Sequence, residues 1–590
     1  MQYRLQFHSG PRPRLMRISG FVVALCMITA LPSLGKNLVP VRSLSKDLLA
    51  STFMGGSGNE GEFRQMSVVI DGNGCVFVAG QTRSPDFPVT PGAWDSEFNG
   101  DFDLFIAKLD HDLKTCLAAT YLGGSDFEGG IRGAPFLCVG NDNSLYVAGQ
   151  TRSQDFPTTP GAYAESLTSG YDLFVTHLDN DLTTLLASTY LGGSKLDNCS
   201  AICMASNGDL FVSGYTKSTD YPTTPGAYDT QYNGQTGTFG GDLVVSRLSP
   251  DLGQLIASTY VGGSAWELDA AMSLDSEDNL YICGSTASAD FPTTPGAYEP
   301  QYHPGSAGLG ADCIVFKMNE NLDTLLCSTF LGGTFDDWGY TLMLDGSGHV
   351  YVAGHTSSVD FPVSSGAYDT IFNGLPGIDV GDDLFITRLD PALSSIEGST
   401  YIGGAHWDMP NALVSLPCGD IIVSGQAASD DFPTTSGALG ETYSGGSYAW
   451  GGEAVIVRFD ADLQTLRAST FLGGSGQEGI GSMVIDHEGT LYVSGYTNSE
   501  DFPVTPGAYD VSYNGSGAGV ETGDAYITRL ETDLAGKLTL MADPSFLSVS
   551  QGGVVDLLLS AGPEHANRTY LILASVSGTT PGFPLPSAQA

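Results

Sequence analysis

The chain is poor in positive charge. Its 590 residues include 23 Lys and Arg against 66 Asp and Glu, for a formal net charge of -43. A surface this acidic repels nucleic acid and anionic membranes, so we expect no nucleic-acid partner. Because 42% of the residues are hydrophobic, the chain can nevertheless bury a core and does not have the composition of a disordered acidic polymer.

Several common catalytic and binding motifs are also missing. The sequence has no CxxC pair, no HExxH segment, no phosphate-cradling glycine loop and no nucleophile elbow, so it predicts no zinc, nucleotide or acyl-transfer site. Without the leader described next, nine of the ten cysteines remain, and they do not recur at one position of the repeat. We expect them to be small buried hydrophobes rather than a disulfide framework or metal site.

Long hydrophobic runs are confined to the start of the chain. Arg12, Arg14 and Arg17 precede an apolar stretch from Ile18 to Leu34. This order predicts a cleaved export signal over residues 1–35, followed by a lead-in over 36–47. A membrane anchor is the alternative, but the stretch is short and breaks at Pro32. The prediction is therefore a secreted or surface-held protein, without a membrane span after cleavage.

Seven copies of one motif, Ser/Ala-Thr-aromatic-apolar-Gly-Gly, run along the chain. Successive motif threonines are 68, 69, 70, 70, 71 and 70 residues apart: Thr52, Thr120, Thr189, Thr259, Thr329, Thr400 and Thr470. Such a regular period indicates a repeat architecture.

Each repeat contains four short β-rich runs. In one unit these are AAMSLDS, LYICGST, DCIVFKM and LIASTYVGG, which we name strands a, b, c and d. Turn residues bound them, and no stretch shows helical periodicity. Seven four-stranded units predict an all-β, seven-bladed β-propeller over residues 48–534. The first strand d has no preceding a, b or c, and the last c has no following d, so these ends are expected to complete one blade as an N-/C-terminal closure.

The repeat resembles a known family. The run VVIDGNGCVFVAGQTRSPDFPVTPGAW, with the flanking STFMGGS and DLFIAKLD, is similar to the bacterial SBBP β-propeller repeat. The resemblance covers residues 48 to about 534. It implies a secreted or surface-attached propeller and supplies no catalytic residues. Residues 535–590 depart from the repeat and predict a partial β-sandwich-like segment.

The d–a and b–c loops emerge on one face of such a propeller, which we call the loop face. Long loops on a rigid scaffold usually carry binding. A carboxylate lies eight residues after each motif threonine: Glu60, Glu128, Asp197, Glu267, Asp337, Asp408 and Glu478. With strand a innermost, these acids are expected around the channel mouth, where they either cap the d–a bend in every blade or bind a cation such as Ca²⁺. Since a role present in all seven blades is usually structural, we favour the cap and predict no cofactor.

Tryptophan and histidine break the sevenfold pattern on this face. The ligand-binding candidates are Trp266, Trp338, Trp407, Trp450, His355 and His406. Exposed indoles beside carboxylates suit sugar rings or a protein partner, although blades also bury loop tryptophans. Trp94 occupies a column that holds tyrosine in most other blades, so packing explains it. His355 and His406 are further expected to approach each other, as a metal or acid–base pair, although unpartnered surface histidines are commoner.

Three functions remain open from the sequence. The first is a non-enzymatic binding or scaffold protein for a glycan, peptide or protein. The second is an extracellular polysaccharide lyase or hydrolase that uses the channel-mouth carboxylates, and the third is a structural surface or adhesion component. Enzymes usually carry an isolated acid pair, whereas most acids here repeat in every blade. The sequence therefore favours binding.

Overall fold

The computed structural model describes residues 2–6, 47–61, 66–129, 135–168, 170–235, 240–303, 309–376, 381–445, 452–515, 523–534 and 554–558. The chain divides into two compact units. Asp47–Ala535 form the larger unit. The smaller unit joins Met1–Lys46 to Gly536–Ala590.

The larger unit is a ring of seven antiparallel sheets, blades I to VII, each holding strands in the order a-b-c-d. The a strands are β3 (Met66–Ile70), β7 (Glu128–Gly129) with β8 (Phe136–Val139), β12 (Asp197–Met204), β16 (Glu267–Leu274), β20 (Asp337–Leu344), β24 (Asp408–Ser415) and β28 (Glu478–Ile485). The b strands are β4 (Val76–Thr82), β9 (Leu145–Thr151), β13 (Leu210–Thr216), β17 (Leu280–Thr286), β21 (Val350–Thr356), β25 (Ile421–Ala427) and β29 (Leu491–Thr497). The c strands are β5 (Asp103–Leu109), β10 (Asp172–Leu178), β14 (Asp242–Leu248), β18 (Asp312–Met318), β22 (Asp383–Leu389), β26 (Glu453–Phe459) and β30 (Asp524–Leu530). The d strands of blades I to VI are β6 (Cys116–Leu122), β11 (Leu185–Leu191), β15 (Leu255–Val261), β19 (Leu325–Leu331), β23 (Ile396–Ile402) and β27 (Leu466–Leu472). Blade VII takes its d strand from β2 (Leu48–Met54).

The ring is closed, and strand a is the innermost strand. Each a strand contacts the a strands of the two neighbouring blades, and β28 contacts β3 across the junction between the last blade and the first. The described residues contain no helix. The predicted seven-bladed all-β propeller is confirmed.

The burial of each strand follows from its place in the blade. Strands b are buried at all seven positions in every blade, because blades pack on both of their faces, and they read as continuous apolar runs. Strands a contain more half-buried positions where they line the channel. A register shift in strand a brings its backbone against strand b, so that a Cβ on Gly354 would collide with the carbonyl oxygen of Trp338. Only glycine fits at that contact.

The expected closure of the ring by the two chain ends is present. β2 pairs antiparallel with β30, from Leu48 opposite Leu530 to Met54 opposite Ala525. Phe53 is 1% exposed and packs against the rings of Phe502 and Tyr513. The clasp removes one sheet edge and ties the first strand of the propeller to the last.

The b–c loops cover the outer strand d of their own blade. In blade I, the motif residue Thr120 donates its hydroxyl to the carbonyl of Asp95, and the Asp95 N–H donates back to Thr120 Oγ1. The loop also reaches the next blade, where the Trp94 N–H donates to the carbonyl of Leu182 at 2.9 Å. The Asp of each Asp-Phe/Tyr-Pro segment accepts hydrogen bonds across the d–a turn, as Asp155 does from the Ser125 N–H and hydroxyl. The motif threonine therefore fastens the b–c loop to strand d by hydrogen bonds, and the loop aspartate fastens it to the d–a turn.

The smaller unit is described only at two strands. β1 (Gln2–Gln6) pairs antiparallel with β31 (Val554–Leu558). The rest of the predicted signal over 1–35, the lead-in up to residue 46 and the predicted β-sandwich-like segment from residue 535 lie outside the described residues. In the described part of the chain all nine cysteines are free thiols; three are buried, five are half-buried and Cys418 is exposed. No helix there could cross a membrane.

Candidate functional site

The seven predicted carboxylates lie at the loop-face end of strand a, at its first residue or just before it, but their side chains do not face open solvent. All seven are 0% exposed: Glu60, Glu128, Asp197, Glu267, Asp337, Asp408 and Glu478. Glu128 is representative, because Thr151 Oγ1 donates to Oε1 at 2.7 Å and the Gly124 N–H donates to Oε2 at 3.0 Å. The carboxylates thus bind the d–a bend of the chain, which is the cap that sequence analysis favoured.

A second buried acid stands beside each of these carboxylates, at the first residue of strand c in the preceding blade. A Cβ placed on Gly123 would lie 2.5 Å from Asp103 Oδ1 and 2.9 Å from Glu128 Oε2, so both carboxyl groups occupy the space that a side chain at this glycine would need. We call these sets the junction carboxyl pairs: Asp524 with Glu60, Asp103 with Glu128, Asp172 with Asp197, Asp242 with Glu267, Asp312 with Asp337, Asp383 with Asp408, and Glu453 with Glu478. Sequence analysis missed the second member, although an acid opens strand c in every repeat.

Burial shifts the titration of both members. Desolvation raises the pKa of Glu128 to about 7, and the hydroxyl and N–H donors around it only partly offset this rise. Desolvation likewise raises the pKa of Asp103 to about 6, while the Asn99 and Gly100 N–H groups lower it. Two adjacent buried carboxyls resist double ionisation, so the pairs favour bound protons near neutral pH.

A bound cation would be the other way to relieve this repulsion. Calcium needs six to eight oxygen ligands, whereas each junction supplies two carboxyl groups, and both groups of the Asp103–Glu128 pair already accept protein hydrogen bonds. Within the described ranges no group of three or more His, Cys, Asp or Glu side chains is placed to hold a metal. The Asp-Gly-Asn-Gly turn that superficially resembles a calcium loop is closed instead by hydrogen bonds from Asn73 N–H and Cys75 N–H to Asp71 Oδ1.

Four candidates of blades IV to VI come together: Trp266, Trp338, His355 and Trp407. Trp266 stacks on Trp338 with ring centroids 5.4 Å apart and an interplanar angle of 21°. His355 lies 6.2 Å from both Trp338 and Trp407, and 5.2 Å from Tyr340, measured between ring centroids. We call Trp266, Trp338, Tyr340, His355 and Trp407 the ring cluster. It lies at the loop-face end of three successive inner strands.

The ring cluster is partly buried. Trp338 and Trp407 are only 6% and 8% exposed, so these two indoles do not stand free in solvent as the binding hypothesis assumed. Trp266 and Tyr340 are half-buried and form the accessible part. An incoming ring would therefore meet Trp266 and Tyr340, with Trp338 and Trp407 supporting them from below.

His355 is held by a buried carboxylate that sequence analysis did not single out. Its Nε2 lies 3.4 Å from Asp382 Oδ2, with side-chain exposures of 8% and 2%. Ser357 donates its hydroxyl to Asp382 Oδ1 at 2.5 Å. The hydroxyl thus positions the carboxylate, which faces the imidazole. A comparison of the repeats does single out Asp382, because blades III, VI and VII have glycine at the same position.

The remaining candidates are His406, Trp94 and Trp450. The His406 N–H donates to Ser429 Oγ at 2.9 Å, next to Trp407 in the chain. Trp94 is half-buried and packs with the core of blades I and II, as its column predicted. Trp450 lies outside the described residues.

Two small depressions mark the loop face between blades. One, of about 430 Å³, is lined by the Gly55–Gly56–Ser57 turn, Asp86 and Tyr509 among others. The other, of about 320 Å³, is lined by the equivalent residues at the junction of blades II and III and includes Asp172. Because both repeat the same structural position, neither distinguishes one blade as a binding site.

Comparisons with known proteins show likeness in structure only. No family model matches the chain, and no curated protein matches it. Similar solved structures include a protein of unknown function from Dyadobacter fermentans (12% identity, 82% of this chain and 98% of that one, TM-score 0.38). They also include BamB from Moraxella catarrhalis (10% identity, 82% and 99%, TM-score 0.36). A third is a PL25 ulvan lyase, from a new polysaccharide lyase family (10% identity, 76% and 93%, TM-score 0.38). At these identities no activity, ligand or partner carries over to this chain.

Proposed function

We propose that this protein is a secreted or surface-held, non-enzymatic binding protein that takes a glycan, peptide or protein partner on its loop face. We also propose that its seven repeats belong to the SBBP family, on the motifs described above. The predicted leader supports export. The observation that carries the binding proposal is the ring cluster, which gathers five rings at one place on an otherwise repetitive face.

The ring cluster differs from the corresponding places in the other blades. At the position of Trp266, blades I, III and VII have Asn59, Leu196 and Gln477. At the position of His355, blades I, II and VI have a glutamine: Gln81, Gln150 and Gln426. Those glutamines serve the fold, since Gln81 Nε2 donates to the Glu128 carbonyl of the next blade. A propeller of this repeat therefore folds without the cluster, and a role beyond folding accounts for its presence.

The geometry suits a flat ligand. Half-buried indole and phenol rings on a rigid scaffold bind sugar rings or aromatic and apolar side chains at small entropic cost. Meanwhile the repeated carboxylates are buried in hydrogen bonds, so they support a lyase or hydrolase less than their sequence positions suggested.

A binding screen tests the proposal. The mature protein is applied to a glycan array and a peptide library, and hits are compared with the double variant Trp266→Leu/Trp338→Leu. Leucine occupies these positions in blade III and blade IV respectively, so the variant is compatible with the repeat. We expect about tenfold or greater loss of affinity for any true ligand.

Trp94→Tyr is the matched control, because tyrosine is the residue of that column in five other blades, and we expect it to bind normally. Equal affinity of the wild type and the double variant for every hit would reject the ring cluster as the site.

Catalysis is a second candidate, favoured by one observation. His355 is a buried imidazole oriented by Asp382, and a histidine–carboxylate pair is a common general base. His355→Gln installs the residue that three other blades use. If the protein depolymerises an acidic polysaccharide and His355→Gln abolishes turnover while ligand affinity is kept, the protein is an enzyme. Loss of affinity in the same proportion supports binding alone.

A further inference from the structure

A second surface on the loop face, in blades I to III, is built from cations and aromatic rings. The residue directly after strand b is Arg83, Arg152 and Lys217 in these three blades. In blades IV to VII the same position holds Ala287, Ser357, Ala428 and Asn498. The bases therefore mark one half of the face, opposite the half that carries the ring cluster.

The arginines and rings form a continuous row. Arg83 Cζ lies 3.7 Å from the centroid of the Phe102 ring. Phe102 and Phe127 are 5.3 Å apart, and Phe127 and Tyr171 are 6.0 Å apart, both edge to face. Arg152 Cζ lies 5.7 Å from the Tyr171 ring. The three rings are half-buried, whereas both arginines are exposed.

Bases elsewhere on the propeller are used differently. On the opposite face, the basic residue near the end of strand c is paired to acid side chains of the turns, as Arg247 is to Asp209 at 2.8 Å and Arg458 to Asp420 at 2.7 Å. Those side chains are 9% and 16% exposed. They connect strands and turns, whereas Arg83 and Arg152 lie over rings at the surface.

The acid that pairs with Arg152 leaves this guanidinium accessible. Arg152 pairs with Asp126 at 2.9 Å, with both side chains exposed, at 49% and 34%. An exposed pair of this kind is weak and is readily exchanged for another anion. Asp155, in the b–c loop, is already bound to the Ser125 N–H and hydroxyl.

We propose that Arg83, Phe102, Phe127, Arg152 and Tyr171, with Lys217 beside them, bind a polyanionic glycan that carries carboxylate or sulfate groups. The guanidinium groups match those anions in geometry and charge, and the rings lie between them where sugar faces stack. Nucleic acid fits less well, because it needs many phosphate contacts, whereas this position of the repeat supplies three basic side chains, in blades I to III. This inference extends the proposed function to the charge of the ligand, but it uses none of the ring-cluster residues.

Binding to matched polymers tests the inference. Dextran sulfate is compared with neutral dextran of the same length, and polygalacturonate supplies the carboxylate arm. We expect the wild type to bind at least one of the two polyanions, in a salt-sensitive manner, and not neutral dextran. Dextran sulfate alone would identify sulfate as the recognised group, and polygalacturonate alone would identify carboxylate.

Two charge-matched variants locate the site. Arg83→Ala/Arg152→Ser installs residues that occur at this position in blades IV and V, and it should weaken binding roughly tenfold or more. Lys114→Gln/Arg467→Gln removes two exposed bases from the opposite face, 57% and 48% exposed, and should bind as the wild type does.

The inference is overturned if the wild type binds neither polyanion, if both variants lose affinity equally, or if single-stranded DNA of equal charge binds as tightly as the glycans. The Trp266→Leu/Trp338→Leu variant separates the two proposals. If that variant loses its ligands while Arg83→Ala/Arg152→Ser binds normally, the ring cluster stands and the cationic row fails.

Discussion

Replacing one member of a junction carboxyl pair should change how the stability of the propeller depends on pH. In the folded protein the pKa of Glu128 rises from an ordinary 4.5 to about 7. Since each tenfold change in proton affinity is worth about 1.4 kcal/mol, ionising this carboxyl costs the fold about 3 kcal/mol. The folded state holds the proton more tightly than the unfolded state. The resulting stabilisation is complete below pH 4.5 and is lost as pH rises through 7.

Glu128→Gln removes the titrating carboxyl, so the free energy of unfolding no longer depends on the protonation of residue 128. The amide still accepts a hydrogen bond from Thr151, but its NH₂ opposes the Gly124 N–H, a cost that does not vary with pH. Urea unfolding at pH 5 and pH 8 should therefore show the variant gaining about 2 to 3 kcal/mol relative to the wild type at the higher pH.

Asp155→Asn is the control from the same blade. The Ser125 N–H lowers the pKa of Asp155 below its ordinary value, so its stabilisation is present above about pH 4 and is lost only as pH falls further. Its free energy of unfolding relative to wild type should be the same at pH 5 and pH 8. If Glu128→Gln behaves like Asp155→Asn, the carboxyl is ionised across this range and the argument from burial is refuted.

Two further predictions concern the clasp and the carboxyl pairs. Phe53→Ala leaves a cavity between β2 and its neighbours and should cost about 3 to 5 kcal/mol in urea unfolding; a cost below about 1 kcal/mol would contradict a packed clasp. Adding CaCl₂ at pH 8 should leave the melting temperature unchanged, since each junction offers two carboxyl groups where calcium needs six to eight oxygen ligands, whereas a calcium-dependent rise in melting temperature would indicate a cation at the junctions.

The architecture could be predicted from sequence because the repeat shows it seven times. Blade number and the pairing of Leu48–Met54 with the last c strand follow from the order of apolar runs and turns, as do the bounds of strands b and c. Strand a was placed too late, because AAMSLDS begins at Ala270 whereas β16 runs over Glu267–Leu274. Two contacts of the b–c loop were harder to foresee: its hydrogen bonds with Thr120, and the contact of Trp94 with the next blade. Both depend on the path that a long loop takes across its blade. That path is set by tertiary packing rather than by local periodicity.

The candidate site could be predicted only in part. The aromatic and histidine residues of blades IV to VI were found because they depart from the repeat. The burial of Trp338 and Trp407 could not be predicted. For a residue beside a turn, the local sequence does not distinguish exposure to solvent from packing against the neighbouring blade. The acids that open strand c, such as Asp103, were overlooked because they form part of a regular strand and gain importance only beside the next blade.

The loop that covers strand d has a consequence for how this protein meets other molecules. Partners that recognise β-sheet proteins by strand addition need an outer strand with free backbone groups. In blade I the Thr90 N–H already donates to the carbonyl of Ala119, and Tyr121 N–H to that of Asp95, so the rim is satisfied from within. Recognition at this blade is then expected to proceed through side chains, whose substitution alters specificity without disturbing the backbone.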